Sequence, residues 1–203
     1  MILLSDIGQK VEKHTEKEEY FKSVGVEVHR VPLPVGDYCM ANELSLDVML
    51  RKRDRGQNVK KIDFLGSYKV TVDTKFSIQE LVGNVCGKEH ARFRDELILA
   101  QNNDIKLYIL VANEDGIKSI NDLFRWHNPR LDLMKNSNEC IGVWKNGKPR
   151  YRRVRKYPTA TKGMTLAKAC LTMQHKYGVE FRFCTNKAQG KQVLELLGLE
   201  GLK

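Results

Sequence analysis

The chain has 203 residues, 41% of them hydrophobic and 30% charged, which suits one well-buried domain and excludes a disordered polyelectrolyte. No run approaches the roughly 20 apolar residues of a membrane span, and residues 1–6 lack the basic lead of a signal peptide. The net charge of +10 is unevenly spread. Residues 51–69 carry seven Lys/Arg against two Asp, and residues 135–156 carry eight against one Glu, so these two segments exceed the whole net charge. A near-neutral scaffold with two basic segments is what a polyanion-binding protein shows, although solvated loops that keep a protein soluble are basic as well. The five cysteines contain no Cys-x-x-Cys pair, so neither a disulfide framework nor a cysteine zinc site is indicated.

In chain order, residues 2–5 read as a strand ending at Asp6. Residues 14–24 read as a helix, charged on most faces with Tyr20, Phe21 and Val24 inward, and Gly25 stops it before a strand at 26–31. Pro32 and Pro34 break the chain ahead of a third strand, entered at Gly36-Asp37-Tyr38. Residues 42–66 read as an irregular, mobile insertion around Arg51-Lys52-Arg53-Asp54-Arg55. A fourth strand runs through Tyr68-Lys69-Val70-Thr71-Val72-Asp73-Thr74-Lys75. Ser77 then caps a helix with Ile78, Leu81, Val82 and Val85 on its core face and Glu80 opposite, near the mouth of the paired strands. A helix at 88–101 buries Phe93, Leu97 and Ala100 and presents His90 with Arg94, and Arg92 with Glu96, as i,i+4 pairs. Residues 105–112 are the clearest buried strand. A short helix at 119–126, an irregular arm or small hairpin at 130–158, a helix at 164–176, a strand at 179–184 and a helix at 187–197 follow. The pattern indicates one α/β domain over residues 1–203, with a mixed sheet between helices.

The third and fourth strands are expected to pair as a hairpin that brings Asp37 to Asp73 and Lys75. Residues two apart on a strand share a face, so Asp73 and Lys75 point the same way. Two carboxylates beside an ammonium can hold a divalent cation and a water. Singly, each residue has a plainer role: Asp37 after Gly36 shapes a turn, Asp73 and Lys75 form a solvated strand face, and Glu80 is an exposed helix position. His90, His127 and His175 share no ligand spacing.

On Gly36-Asp37-Tyr38 and Val72-Asp73-Thr74-Lys75 the sequence resembles the XPF-type nuclease domain of the PD-(D/E)XK superfamily, especially its short phage and bacterial forms. The strand ending in Asp6, Ser77-Ile78-Gln79-Glu80-Leu81, Arg92-Phe93 with Glu96, Leu107-Tyr108-Ile109-Leu110-Val111 and Lys176-Tyr177-Gly178-Val179-Glu180-Phe181 extend the resemblance. The basic segments at 42–66 and 130–158 stand out as insertions. The resemblance implies a restriction-endonuclease-like α/β fold, a mixed β-sheet flanked by helices on both faces, in a metal-dependent phosphodiesterase. It implies that Asp37, Asp73 and the carbonyl of Thr74 bind Mg²⁺ or Mn²⁺, and that Lys75 holds the attacking water or stabilises the pentavalent transition state. Glu80 would accept a proton or bind a second ion, Asp6 would be a further acid, and Arg92 and His90 would clamp phosphate. Two departures stand out. Asp6-Ile7-Gly8-Gln9 lies where the family usually carries Asp-x-Arg-Glu, and the central acid is Asp73 in place of the commoner Glu.

The expected substrate is DNA, in branched, flap or fork form. Arg51, Arg53, Arg55, Lys60 and Lys61 would contact its phosphates from the first basic segment, and Lys148, Arg150, Arg152, Arg153 and Arg155 from the second. Trp144, Tyr151 and Tyr157 either stack on unpaired bases or pin a small hairpin to the body. Two alternatives stay open: a non-catalytic nucleic-acid-binding module on the same fold, and an RNA-directed nuclease. A homodimer is open too. The expected setting is the bacterial cytoplasm, with the chain encoded by host or phage and no membrane partner.

Overall fold

The computed structural model describes residues 1–9 and 15–199. Its first strand, β1 (Ile2–Asp6), buries consecutive residues Leu3 and Leu4 on opposite faces, so it must lie inside a sheet covered on both sides. Helix α1 (Thr15–Ser23) ends at Gly25, which takes a positive φ of 73° and turns the chain into β2 (Glu27–Val31), parallel to β1. The expected helix start at residue 14 lies outside the described residues. The short β3 (Tyr38–Met40) is antiparallel both to β1 and to β4 (Val70–Lys75). Beyond β4, the strands β5 (Lys106–Ala112) and β8 (Glu180–Cys184) continue in parallel, giving a six-stranded mixed sheet in the order β2-β1-β3-β4-β5-β8.

Helices cover both faces, as expected for this class. Helices α3 (Ile78–Val85), α4 (His90–Asn102) and α6 (Gly163–Tyr177) pack Leu81, Phe93, Leu97, Leu166 and Cys170 against Leu4 and Ile109. Helices α1 and α7 (Gln189–Leu196) pack Phe21, Val193 and Leu194 against Leu3, Tyr38, Val72 and Leu110 on the other face. Ile109 and Leu110 are neighbours in β5 yet belong to opposite cores, the period-2 signature of a fully buried strand. The short α5 (Ile120–Leu123) docks Leu123 into the larger core. No helix among the described residues is long and apolar enough to cross a membrane.

One expectation is overturned. Residues 42–66 are not irregular: they contain the helix α2 (Glu43–Asp54) and a 3-10 turn, Lys61–Phe64. Asn42 starts α2 by accepting the backbone N–H of Ser45 at 2.9 Å while the Ser45 hydroxyl oxygen accepts that of Asn42 at 2.9 Å. Val48 and Met49 pack on the core, Phe64 is buried within it, and Lys52 pairs with Asp63 at 3.0 Å to tie helix to turn. The arm at 130–158 forms a hairpin, β6 (Met134–Val143) with β7 (Pro149–Arg155), in a separate two-stranded sheet. Neither core cluster includes a residue of this hairpin, and Trp144 and Tyr151 are exposed. These two aromatics therefore do not pin it to the body.

Candidate active site

The site forms where β3 begins and β4 ends. The Asp37 backbone N–H donates to the Val72 carbonyl at 2.8 Å, which extends the β3–β4 ladder by one residue and sets Asp37 beside Asp73. Only glycine suits position 36. Its φ is +72°, and a Cβ there would lie 2.2 Å from Thr71 Oγ1. The Gly36 N–H donates to Glu96 Oε1 at 2.9 Å, so α4 holds the turn from above. A cavity of about 700 Å³ opens here, lined by Asp6, Asp37, Asp73, Thr74, Lys75, Glu80, Arg92 and Glu96, with Lys61 at its edge.

Within this cleft, β4 aims Asp73 and Lys75 to the α4 side of the sheet. Their ion pair closes at 2.6 Å, and both are nearly buried, at 4% and 6% exposed. Lys75 Nζ also sits 5.4 Å from the centre of the Phe93 ring. Burial pushes the Asp73 carboxyl well above its usual range; Lys75 opposes this, while Asp37 and Glu96 reinforce it. Burial pulls the Lys75 ammonium down, but Asp73, Asp37 and Glu96 together outweigh that and hold it protonated. The two upward shifts have different leading causes: burial for Asp73, and the neighbouring carboxylates for Lys75.

The cleft is lined by more acids than cations, and that balance fits a divalent cation. Asp73 Oδ2 is buried, and its partner among the described residues is the Lys75 ammonium at 2.6 Å. The hydrogen bonds on the Asp37 carboxylate fall on Oδ2, from Thr74 N at 2.8 Å and Thr74 Oγ1 at 2.6 Å, and leave Oδ1 without one among the described residues. Two carboxylates and a carbonyl are a sufficient protein contribution for a small hard cation that keeps several waters. Among the described residues, no three His, Cys, Asp or Glu side chains gather into a cluster.

The other expected residues fall into three groups. Asp6 and Glu80 line the cleft, yet each spends oxygens on the backbone. Asp6 accepts from Leu33 N at 2.9 Å and Gly8 N at 3.1 Å, and Glu80 Oε2 accepts from Phe76 N at 2.7 Å. At Gly8 a Cβ would lie 2.6 Å from Asp6 Oδ2, the end of a side chain that can turn aside, so the structure gives no requirement for glycine there. Arg92 lines the cleft, paired with Glu89 at 3.4 Å, whereas His90 is turned toward the end of α3, Nδ1 at 2.8 Å from the Val85 carbonyl. The remaining cations lie elsewhere. Arg51 pairs with Asp47 and Arg53 with Asp54 on exposed α2, Arg55 and Lys60 follow them, and Lys148, Arg150, Arg152, Arg153 and Arg155 are exposed on the hairpin.

Two residues of the site lie outside the set expected from the sequence. Glu96 is one, one turn beyond Phe93 on the buried side of α4. The other is Lys17 of α1, 4% exposed, which donates to Thr74 Oγ1 at 3.1 Å and lies 5.3 Å from the centre of the Tyr38 ring. Burial lowers its ammonium to about 8, against the pull of Asp37, Asp73 and Glu80.

With this geometry in place, comparison with known proteins is decisive on one point: the ERCC4 domain matches residues 9–197. The chain belongs to the ERCC4-domain family. That family comprises DNA nucleases that generally depend on divalent metal ions. Among solved structures, the chain is similar to XPF from Aeropyrum pernix, at 14% identity and a TM-score of 0.50, over 100% of this chain and 63% of that one. It is also similar to XPF from Aeropyrum pernix in complex with DNA, at 16% identity and a TM-score of 0.49, over 98% of this chain and 64% of that one. At such identity the likeness concerns the fold, and the chain spans about 63% of the length of the first of these relatives. No curated protein matches the chain.

Proposed function

We propose that this ERCC4-domain chain is a Mg²⁺- or Mn²⁺-dependent endonuclease that cuts branched, flap or fork DNA at the Asp37–Asp73–Lys75 cleft. The observation that carries the reading is the buried Asp73–Lys75 pair facing Asp37 in an open cavity, with no hydrogen bond on Asp37 Oδ1 among the described residues. A cation held by Asp37, Asp73 and the Thr74 carbonyl would supply Lewis-acid polarisation of the scissile phosphate and a more acidic water.

The chain's own groups account for the rest. Lys75, kept protonated by three acids and wedged against Phe93, presents fixed positive charge where negative charge grows on phosphorus-bound oxygen. Glu96 fixes the Gly36 turn and so the direction of Asp37. Asp6 ties Leu33 and Gly8 together and shapes the cleft wall. Arg92 and Lys61 stand at the cleft as phosphate contacts, and the hairpin arginines supply sequence-independent attraction to the DNA backbone.

The test is cleavage of end-labelled fork, flap and duplex DNA with Mg²⁺ or Mn²⁺, against an EDTA control. Metal-dependent cutting of fork or flap above duplex is expected. Binding without cutting under every metal would replace this reading with that of a non-catalytic DNA-binding module.

A further inference from the structure

Lys17 reaches the site from the far side of the sheet. Thr74 lies between Asp73 and Lys75 in β4, so its side chain points to the opposite face, where α1 and α7 pack. There its hydroxyl meets Lys17 Nζ at 3.1 Å, while the same hydroxyl lies 2.6 Å from Asp37 Oδ2. The direction of this chain is settled by the groups themselves. An ammonium can only donate, a carboxylate can only accept, and a threonine hydroxyl has one proton. Lys17 therefore donates to Thr74 Oγ1, and Thr74 Oγ1 donates to Asp37 Oδ2.

We propose that Lys17 is a positioning residue for Asp37, acting through the Thr74 hydroxyl to keep Oδ2 engaged and Oδ1 turned to the cleft. The inference rests on the cation site proposed above and adds a residue from a separate helix to it. A space-filling role does not account for Lys17. Its position, beside Tyr38 and near the apolar cluster of Phe21 and Val72, would take Leu or Met without the cost of burying an ammonium, and Lys17 has no carboxylate within ion-pair distance among the described residues to offset that cost. What it does have is the Thr74 hydroxyl, which shares Asp37 Oδ2 with the Thr74 backbone N–H and is held from its other side by Lys17. Charged-to-neutral hydrogen bonds in series also polarise one another, which strengthens the Thr74–Asp37 contact.

A pure charge effect and a positioning effect have opposite signs here. An ammonium near the site repels a cation, so if Lys17 acted only by charge, its removal would tighten cation binding. If it acts by holding Asp37, its removal weakens binding, by the tenfold or more typical of groups that orient metal ligands. The experiment is a Mn²⁺ titration of the whole chain, read by electron paramagnetic resonance of free Mn²⁺, for wild type, Lys17→Met, Thr74→Val and the double variant. Thermal melting establishes that each is folded. Each single variant is expected to raise the Mn²⁺ Kd about tenfold, and the double variant to bind no more weakly than either single, because both cut the same chain. Wild-type or tighter affinity in the single variants overturns the proposal, as does a double variant whose loss is the product of the two. Should Lys17→Met not fold, Thr74→Val alone decides, since unchanged affinity there breaks the link. A wild type with no Mn²⁺ site, or one insensitive to Asp37→Asn, would instead refute the cation reading and this inference with it.

Discussion

The cleft and the hairpin are both dense in charge, but they hold it in opposite ways. Asp73 and Lys75 stand on β4, which is hydrogen-bonded to strands on both sides, and nearly every atom of their side chains is enclosed. Arg150, Arg152, Arg153 and Arg155 stand on a ribbon of two strands that joins neither core, all exposed to solvent. Their ties are local: Arg152 to Glu139 at 3.2 Å, and Arg150 over the Trp144 ring at 5.0 Å. A two-stranded ribbon on its own is marginally stable in water. Under the proposed function, the difference suits two kinds of work. Displacement at phosphorus depends on a few groups held to within a fraction of an ångström, whereas attraction to a phosphate backbone depends on how many cations are present.

On this division of labour, substitutions in the two regions should separate cutting from binding. The largest effect belongs to the cleft: Lys75→Met or Asp73→Asn should lower the cleavage rate on the order of 10³-fold while leaving DNA affinity within about threefold, as measured by cleavage and by anisotropy without metal. Comparable losses in both readouts would erase the comparison. Next comes the hairpin. Replacing Arg150, Arg152, Arg153 and Arg155 by Gln should weaken binding about a hundredfold at low salt and flatten the slope of log K against log salt by about 3 to 4. Saturating DNA should then restore most of the cleavage rate.

A smaller effect tests how the cleft is held. Gly36→Ala should cost about 2 to 3 kcal/mol of folding stability by urea denaturation, since it combines left-handed backbone with a clash against Thr71 Oγ1. Cleavage should fall in the same variant because Asp37 shifts. The smallest expected change is in Trp144→Ala, which should weaken single-stranded DNA binding about tenfold and duplex binding less, the pattern of lost base stacking. Equal loss on both substrates would assign Trp144 to hairpin folding.

Much of the fold and part of the site are legible in the amino-acid sequence. The consecutive apolar residues of β5 signal a strand buried on both faces, and the two-residue spacing of Asp73 and Lys75 places them on one face of β4. What the sequence hides has identifiable causes. Helix α2 is concealed because its cap is Asn42 with Ser45, a weaker signature than Ser or Thr followed by Glu, and because the run 51–55 looks like solvated chain. The role of Glu96 is concealed because its partner is a backbone N–H, that of Gly36, which no side-chain pattern announces. Lys17 does leave a trace. It occupies the first position of the stripe Lys17, Tyr20, Phe21, Val24 at i, i+3, i+4 and i+7, so a charged residue at the head of an inward-facing row is the available sign. Hydrophobic patterning discounts such a residue as polar, when burial is what makes it informative. The independence of the hairpin from the body is likewise a tertiary fact, invisible to spacing.

The most direct test of the cation site is an anomalous difference map from a crystal of the chain soaked in Mn²⁺. A peak is expected in the cleft, at roughly 2.0–2.4 Å from oxygens of both Asp37 and Asp73. A well-ordered cleft with no peak there at saturating Mn²⁺, or a peak bound only by residues outside it, would contradict the assignment.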